Sequence, residues 1–142
     1  MYIDKHLTFL YINLNLYDNS IVMELTFQEL HNLAMNIVGK ALQNELKWEF
    51  LLVNSNPKKN PQFVCIDKNK QKHFIIVRAI LQGDNPDIYD PIFMQTVRSH
   101  ADKNNAKTYW AGVGLTNIKD ILLPLIKNEP YQVTFNGLLE IK

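Results

Sequence analysis

The chain has 142 residues, 46% of them hydrophobic and 20% charged, with 15 Lys and Arg against 14 Asp and Glu and a formal net charge of +1. That is enough for one domain with its own core, and it excludes a globally basic nucleic-acid binder. A single cysteine, Cys65, excludes an internal disulfide or a four-thiolate cluster and fits a reducing, cytoplasmic setting.

Residues 1–22 differ in pattern from the rest of the chain. The apolar stretch Leu7 to Ile12 gives way to Asn13, Asn15 and Asp18 without a small-residue cleavage site, so it does not read as a signal peptide. The alternation Tyr11-Ile12-Asn13-Leu14-Asn15-Leu16 suits an extra edge strand. The alternative, and the preferred reading, is an extension outside a core whose pattern begins at Met23.

Thr26-Phe27-Gln28-Glu29 is a capping box. After it Phe27, Leu30, Leu33, Ala34, Ile37, Val38, Ala41 and Leu42 fall on one helical stripe, so a helix is predicted to end near Glu45. Trp48 to Val53 reads as a first strand, followed by a loop whose Pro57 and Pro61 forbid regular structure.

Gln62 to Ile66 and His73 to Ile80 are two further strands joined by the polar run 67–72. The second of them is almost wholly apolar and β-branched, which predicts a central strand covered on both faces. Cys65 is placed as a small core residue. Asp90-Pro91 supplies an N-cap and an N1 proline for a second helix, with Phe93, Met94, Val97 and Ala101 inward.

Thr108 to Leu115 is a further strand, in which Gly112 and Gly114 leave room for close backbone approach or a bend. Of the adjacent Tyr109 and Trp110, on opposite faces, one is expected in the core and the other on a groove or self-association surface. Thr116 is predicted to cap a short helix carrying Ile118, Ile121, Leu122 and Leu125. Tyr131 to Ile141 is a last strand region that Asn136-Gly137 bends or splits. The longest apolar runs, Phe74 to Val77 and Ile121 to Ile126, are far shorter than the roughly 20 residues of a membrane span.

The expected class is therefore α/β of the α+β kind: one domain over residues 23–142, with a mixed central sheet and flanking helices in the order α-β-β-β-α-β. That order, with its apolar third strand, resembles the core of the restriction-endonuclease-like, PD-(D/E)xK, nuclease superfamily over roughly residues 25–115. Active members carry an acid on the second strand and an acid-x-Lys on the third, close enough to hold a hard cation. The resemblance puts Ile76 at the acid and Arg78 at the lysine, with the second-strand acid near Phe63. An isoleucine ligates no metal and an arginine is a poor substitute for a water-steering lysine. The resemblance thus implies a non-catalytic nuclease-like domain that binds or assembles, with a homodimer as the expected partner.

An alternative is a metal-dependent nuclease with relocated acids, built from Glu49, Asp67 and Arg78 with Glu29 in support. On the first reading, Ile76 and Arg78 share a sheet face. Ile76 is then expected against Leu33, Ala34 or Ile37 of the first helix, and Arg78 is expected to reach Glu29.

From Met23 onward the chain also resembles small bacterial proteins that carry the name of the F subunit of the sodium-translocating NADH:quinone reductase. That chemistry needs a four-cysteine cluster and a dinucleotide fingerprint, and the sequence has neither.

The remaining polar groups give weak signals. Asp84, Asp87 and Asp90 lack the glycine and terminal glutamate of a calcium loop and read as a turn and a helix cap. His6, His31, His73 and His100 show no zinc spacing. Lys58, Lys59, Lys68, Lys70 and Lys72 lie on two loops that meet phosphates only if both sit at one sheet end, and no aromatics are interleaved for stacking. No metal site and no cofactor are expected.

Overall fold

A computed structural model describes residues 22–142. The expectation about residues 1–22 thus falls, except for Val22, outside the described residues. The elements are α1 (Phe27–Lys40), continued by a π-helical turn at Ala41–Glu45, then β1 (Glu49–Val53), β2 (Phe63–Ile66), β3 (Lys72–Ile80), α2 (Pro91–Asp102), β4 (Ala106–Asn117), β5 (Tyr131–Thr134) and β6 (Leu139–Ile141).

Both helices start where their caps dictate. Thr26 Oγ1 accepts from the Glu29 N–H, and Glu29 Oε1 accepts from the Thr26 N–H. Asp90 Oδ1 accepts from the N–H groups of Ile92 and Phe93, two of the orphan donors of the first turn of α2.

β1, β2 and β3 form an antiparallel meander. β4 lies parallel to β3, from Lys72 beside Ala106 to Ile80 beside Gly114, and α2 makes the crossover that parallel pairing requires. The far edge of β4 is shared: β5 pairs with residues 114–117 and β6 with residues 108–110, both antiparallel. The chain therefore breaks at Asn136-Gly137, where Gly137 has φ +91°, and resumes along the same edge instead of forming a hairpin.

The period-2 alternation of β3 and β4 sorts the core into two layers. Ile75, Val77, Tyr109, Ala111, Val113 and Leu115 pack with Phe63, Cys65, the stripe of α1 (Leu30, Ala34, Met35 and Val38) and Leu42 of the π-helical turn. On the opposite face Ile76 and Trp110 pack with Met94 and Val97 of α2. β3 is thus a central strand covered on both faces, and Cys65 is a core residue.

Four expectations are corrected. Ile76 is fully buried but meets α2, so Leu33, Ala34 and Ile37 are not its partners. Phe27 starts the predicted stripe yet is exposed, because as the first residue of α1 it lines an open cleft with Leu122 and Leu123 instead of packing on the sheet. Tyr109 and Trp110 are both buried, since each sheet face carries a helix. The helix predicted after Thr116 does not form, because β4 runs on to Asn117. Beyond it Asn117 Oδ1 accepts from the Lys119 N–H and Asp120 Oδ1 from the Leu122 N–H, local turns that compete with a helix ladder, and Pro124 has no N–H to donate to one.

Candidate functional site

Polar chemistry collects at the two ends of β3. At its start, His73 lies in a line of hydrogen bonds. Its Nε2 is 2.9 Å from Asp67 Oδ2 and its Nδ1 is 3.0 Å from Tyr109 Oη. A carboxylate only accepts, so Nε2 carries a proton. When the ring is neutral, Nδ1 accepts from the tyrosine hydroxyl.

Asp67 is held by the hairpin it opens, its Oδ1 accepting from the N–H groups of Asn69 and Gln71. Its carboxyl stays below its ordinary range, chiefly through the hydrogen bond from His73. Trp48 stacks on the His73 ring at 3.7 Å with an interplanar angle of 5°.

This chain of groups is ordered but closed. His73 and Tyr109 are both buried, and burial, with the charges of Glu140 and Asp67, pushes the Tyr109 hydroxyl up to about 12. A phenol so placed does not ionise near neutral pH. The trio ties the hairpin to β4 and is not a nucleophile with its base.

At the other end of β3, Arg78 forms a second cluster. Its Nη1 donates to Gln62 Oε1 at 3.1 Å and to the Val77 carbonyl at 2.8 Å, and its Nη2 to Asn60 Oδ1 at 3.0 Å. The guanidinium carbon is 5.5 Å from the centre of the Phe93 ring, within cation–π range.

Gln62 is fully buried and prolongs β2 with its side chain, Oε1 accepting from the Val77 N–H at 2.9 Å. Nearby on α1, His31 is 4% exposed and its Nε2 has no partner among the described residues. Burial first, and the Arg78 charge second, lower its pKa, so the imidazole is neutral at pH 7.

The four candidate residues are not brought together. Glu29 closes the capping box and pairs with Lys127, Oε2 to Nζ 3.3 Å, so the expected Arg78–Glu29 pair does not form. Glu49 is exposed at the start of β1, opposite Ile66, at the same sheet end as Asp67. Arg78 stands at the far end of β3, five residues beyond His73, roughly 16 Å away at about 3.3 Å per residue. Among the described residues no three of His, Cys, Asp and Glu converge as metal ligands. Asp84 and Asp87 stand in the loop before α2 and Asp90 caps that helix.

The two basic loops are also apart. Lys58 and Lys59 precede β2, while Lys68, Lys70 and Lys72 come after it, so one strand holds them at opposite sheet ends. Among the described residues no helix is long and apolar enough to cross a membrane. Sequence reasoning misses Gln62 and Asn60, because nothing local marks a glutamine that completes a strand edge. It also misses the Asp67–His73–Tyr109 line, although the alternation of β3 and β4 puts His73 and Tyr109 on one face.

A family model described as Domain of unknown function (DUF8840) matches residues 28–141. No curated protein and no solved structure matches the chain.

Proposed function

We propose a function for a chain that belongs to the family described as Domain of unknown function (DUF8840): it is a non-catalytic module of restriction-endonuclease-like topology that works by assembly with a second copy of itself. The observation that carries this reading is what fills the sheet. Ile76, Phe63 and Cys65, at or beside the positions where such a nuclease keeps its acids, are each at most 3% exposed and belong to the two core layers. The element order α-β-β-β-α-β and the apolar third strand, on which the resemblance rests, are both present, which supports comparing the two position by position.

The redox reading has less to stand on. Cys65 is a lone, fully buried thiol, pushed up to about 12 by burial.

Assembly is supported by β1. Among the described residues it pairs only with β2, so its outer edge offers unpaired N–H and C=O groups. Leu51, Leu52 and Val53 along it are 50%, 47% and 54% exposed. Such an edge is a template for another strand unless charge or cover protects it. Leu52 stands opposite Val64, on the α2 side of the sheet, where α2 packs mainly on β4 and leaves β1 bare.

A second copy fits the charges. In an antiparallel β1–β1 pair, Glu49 at the start of each strand would lie toward the end of the other, which Lys58 and Lys59 follow, twice over by symmetry. A net charge of +1 adds little repulsion between copies.

Light scattering on purified protein at about 100 µM should give twice the chain mass, since assembly follows mass action. Leu52→Lys should give a folded monomer, because the substitution sets like charges near the two-fold axis. A monomeric wild type, or a dimeric Leu52→Lys, overturns the assembly reading. Calorimetric titration with Mg²⁺ and Mn²⁺ tests the other half, and a site tighter than about 1 mM would overturn the non-catalytic reading.

A further inference from the structure

Arg78 is held as a binding group is held, yet no acid answers it. Nη1 uses both its hydrogens on Gln62 and Val77 and Nη2 uses one on Asn60. Of the five guanidinium N–H groups, the Nε–H and the second Nη2–H make no hydrogen bond among the described residues. None of the ion pairs of the described residues includes Arg78. The side chain is half-buried, and that burial lowers its pKa. A cation so placed, without an ion-pair partner, carries a desolvation cost that a bound anion would offset.

Its surroundings give the ligand a shape. Arg78 lines an open cleft of about 420 Å³ with Ala79, Ile80, Asp90, Phe93 and Trp110. The walls are apolar apart from Asp90, whose Oδ1 is occupied with the cap of α2. Trp110 contributes only its ring, because its Nε1 donates to the Pro86 carbonyl at 2.8 Å. The Phe93 ring lies beneath the guanidinium.

We propose that this cleft binds a small organic monocarboxylate, its carboxylate on the two free N–H groups of Arg78 and its apolar body against Phe93 and Ile80. A guanidinium edge with two parallel donors matches a carboxylate in geometry and charge. Asp90 selects within the anions. Its charge at the rim repels a dianionic phosphate about twice as strongly as a monoanion, and phosphate brings no apolar body for the walls. The site is independent of the β1 edge, which lies on the far side of β2.

Phenylacetate is a suitable probe, with inorganic phosphate as the control, read by ¹⁵N–¹H NMR on the full chain. Phenylacetate should shift the Arg78 Nε–H signal and the amides of Ile80 and Phe93 saturably, with a Kd of about 1–10 mM for a ligand of its size. Arg78→Lys keeps the charge but loses the fork, and should weaken binding about tenfold. Asp90→Asn keeps the helix cap, since asparagine caps as well as aspartate, and should tighten binding several-fold by removing the rim charge.

No saturable shift with phenylacetate overturns the site. Undiminished affinity in a folded Arg78→Lys overturns the role of the fork. If Arg78→Lys does not fold, Asp90→Asn still decides, because unchanged or weaker binding there contradicts the electrostatics proposed. Phosphate binding as tightly as phenylacetate overturns the carboxylate class.

Discussion

Ile76→Asp is expected to destabilise the domain by about 3–5 kcal/mol, the cost of burying a carboxyl with no partner. Ile76 is fully buried between Trp110, its neighbour across the parallel β3–β4 pair, and Met94 and Val97 of α2. Among the side chains packed on it none donates to a carboxylate, as the Trp110 Nε1–H is already given to Pro86 and the Arg78 guanidinium is directed to Gln62, Asn60 and the Val77 carbonyl. Against a typical stability of about 5–15 kcal/mol, the loss brings the fold near its limit, and urea unfolding at neutral pH should show a much lower midpoint.

The pH dependence has a definite sign. An unpaired buried carboxyl has a folded pKa above its unfolded value, so the protonated form suits the fold. The defect should be smallest at acid pH, below the unfolded pKa, and grow as pH rises through the folded one. Ile76→Leu, nearly equal in volume, is the control and should cost less than about 1.5 kcal/mol. A stable Ile76→Asp that acquired metal-dependent nuclease activity would refute the non-catalytic reading, since the site would then be dormant.

Gly112→Ala should be comparably damaging for a different reason. A Cβ at Gly112 would stand 1.8 Å from the Pro86 carbonyl oxygen and 2.8 Å from both the Pro86 carbonyl carbon and Trp110 Nε1. Two of these are backbone atoms, so no side-chain rotation relieves the clash. The loop before α2 has to move, and the Trp110–Pro86 hydrogen bond goes with it, leaving the N–H of a buried indole unsatisfied. Overpacking and the orphaned donor together cost on the order of 3–5 kcal/mol. Thermal unfolding and the Trp110 fluorescence of the variant check this, and a variant as stable as the wild type would contradict the close approach at Gly112.

The two variants illustrate unequal legibility. Gly112 is readable as a place of close approach, because a glycine inside a strand pattern gives up packing and entropy unless something needs the space. The burial of Ile76 is equally plain from the apolar run around it, but its partner is not.

Alternation along β3 states that Ile75 and Val77 face one way and Ile76 and Arg78 the other. It does not state which helix waits on either side. α1 takes the Ile75 face and α2 the Ile76 face. That outcome carries Arg78 away from Glu29 and toward Phe93, and with it the cleft in which a ligand site is proposed.

The features readable from residue order alone lie within a few residues of their cause. The capping box Thr26–Glu29, the Asp90-Pro91 start of α2, the core placement of Cys65, the central position of β3 and the order α-β-β-β-α-β all rest on local periods and terminal hydrogen bonds. The features that needed the assembled fold join residues far apart in the chain. Asp67, His73 and Tyr109 align because the hairpin and the parallel β3–β4 register bring positions 36 apart to 3.0 Å. The segment after Asn117 stays irregular because side-chain turns and the docking of Leu25 on Leu125 replace a short helix. The basic loops part because β2 separates them, and Arg78 lacks an acid because packing turned its face from α1. In each case the energy comes from contacts whose partners no local pattern names, so the choice among them falls to the packed sheet and its two helices.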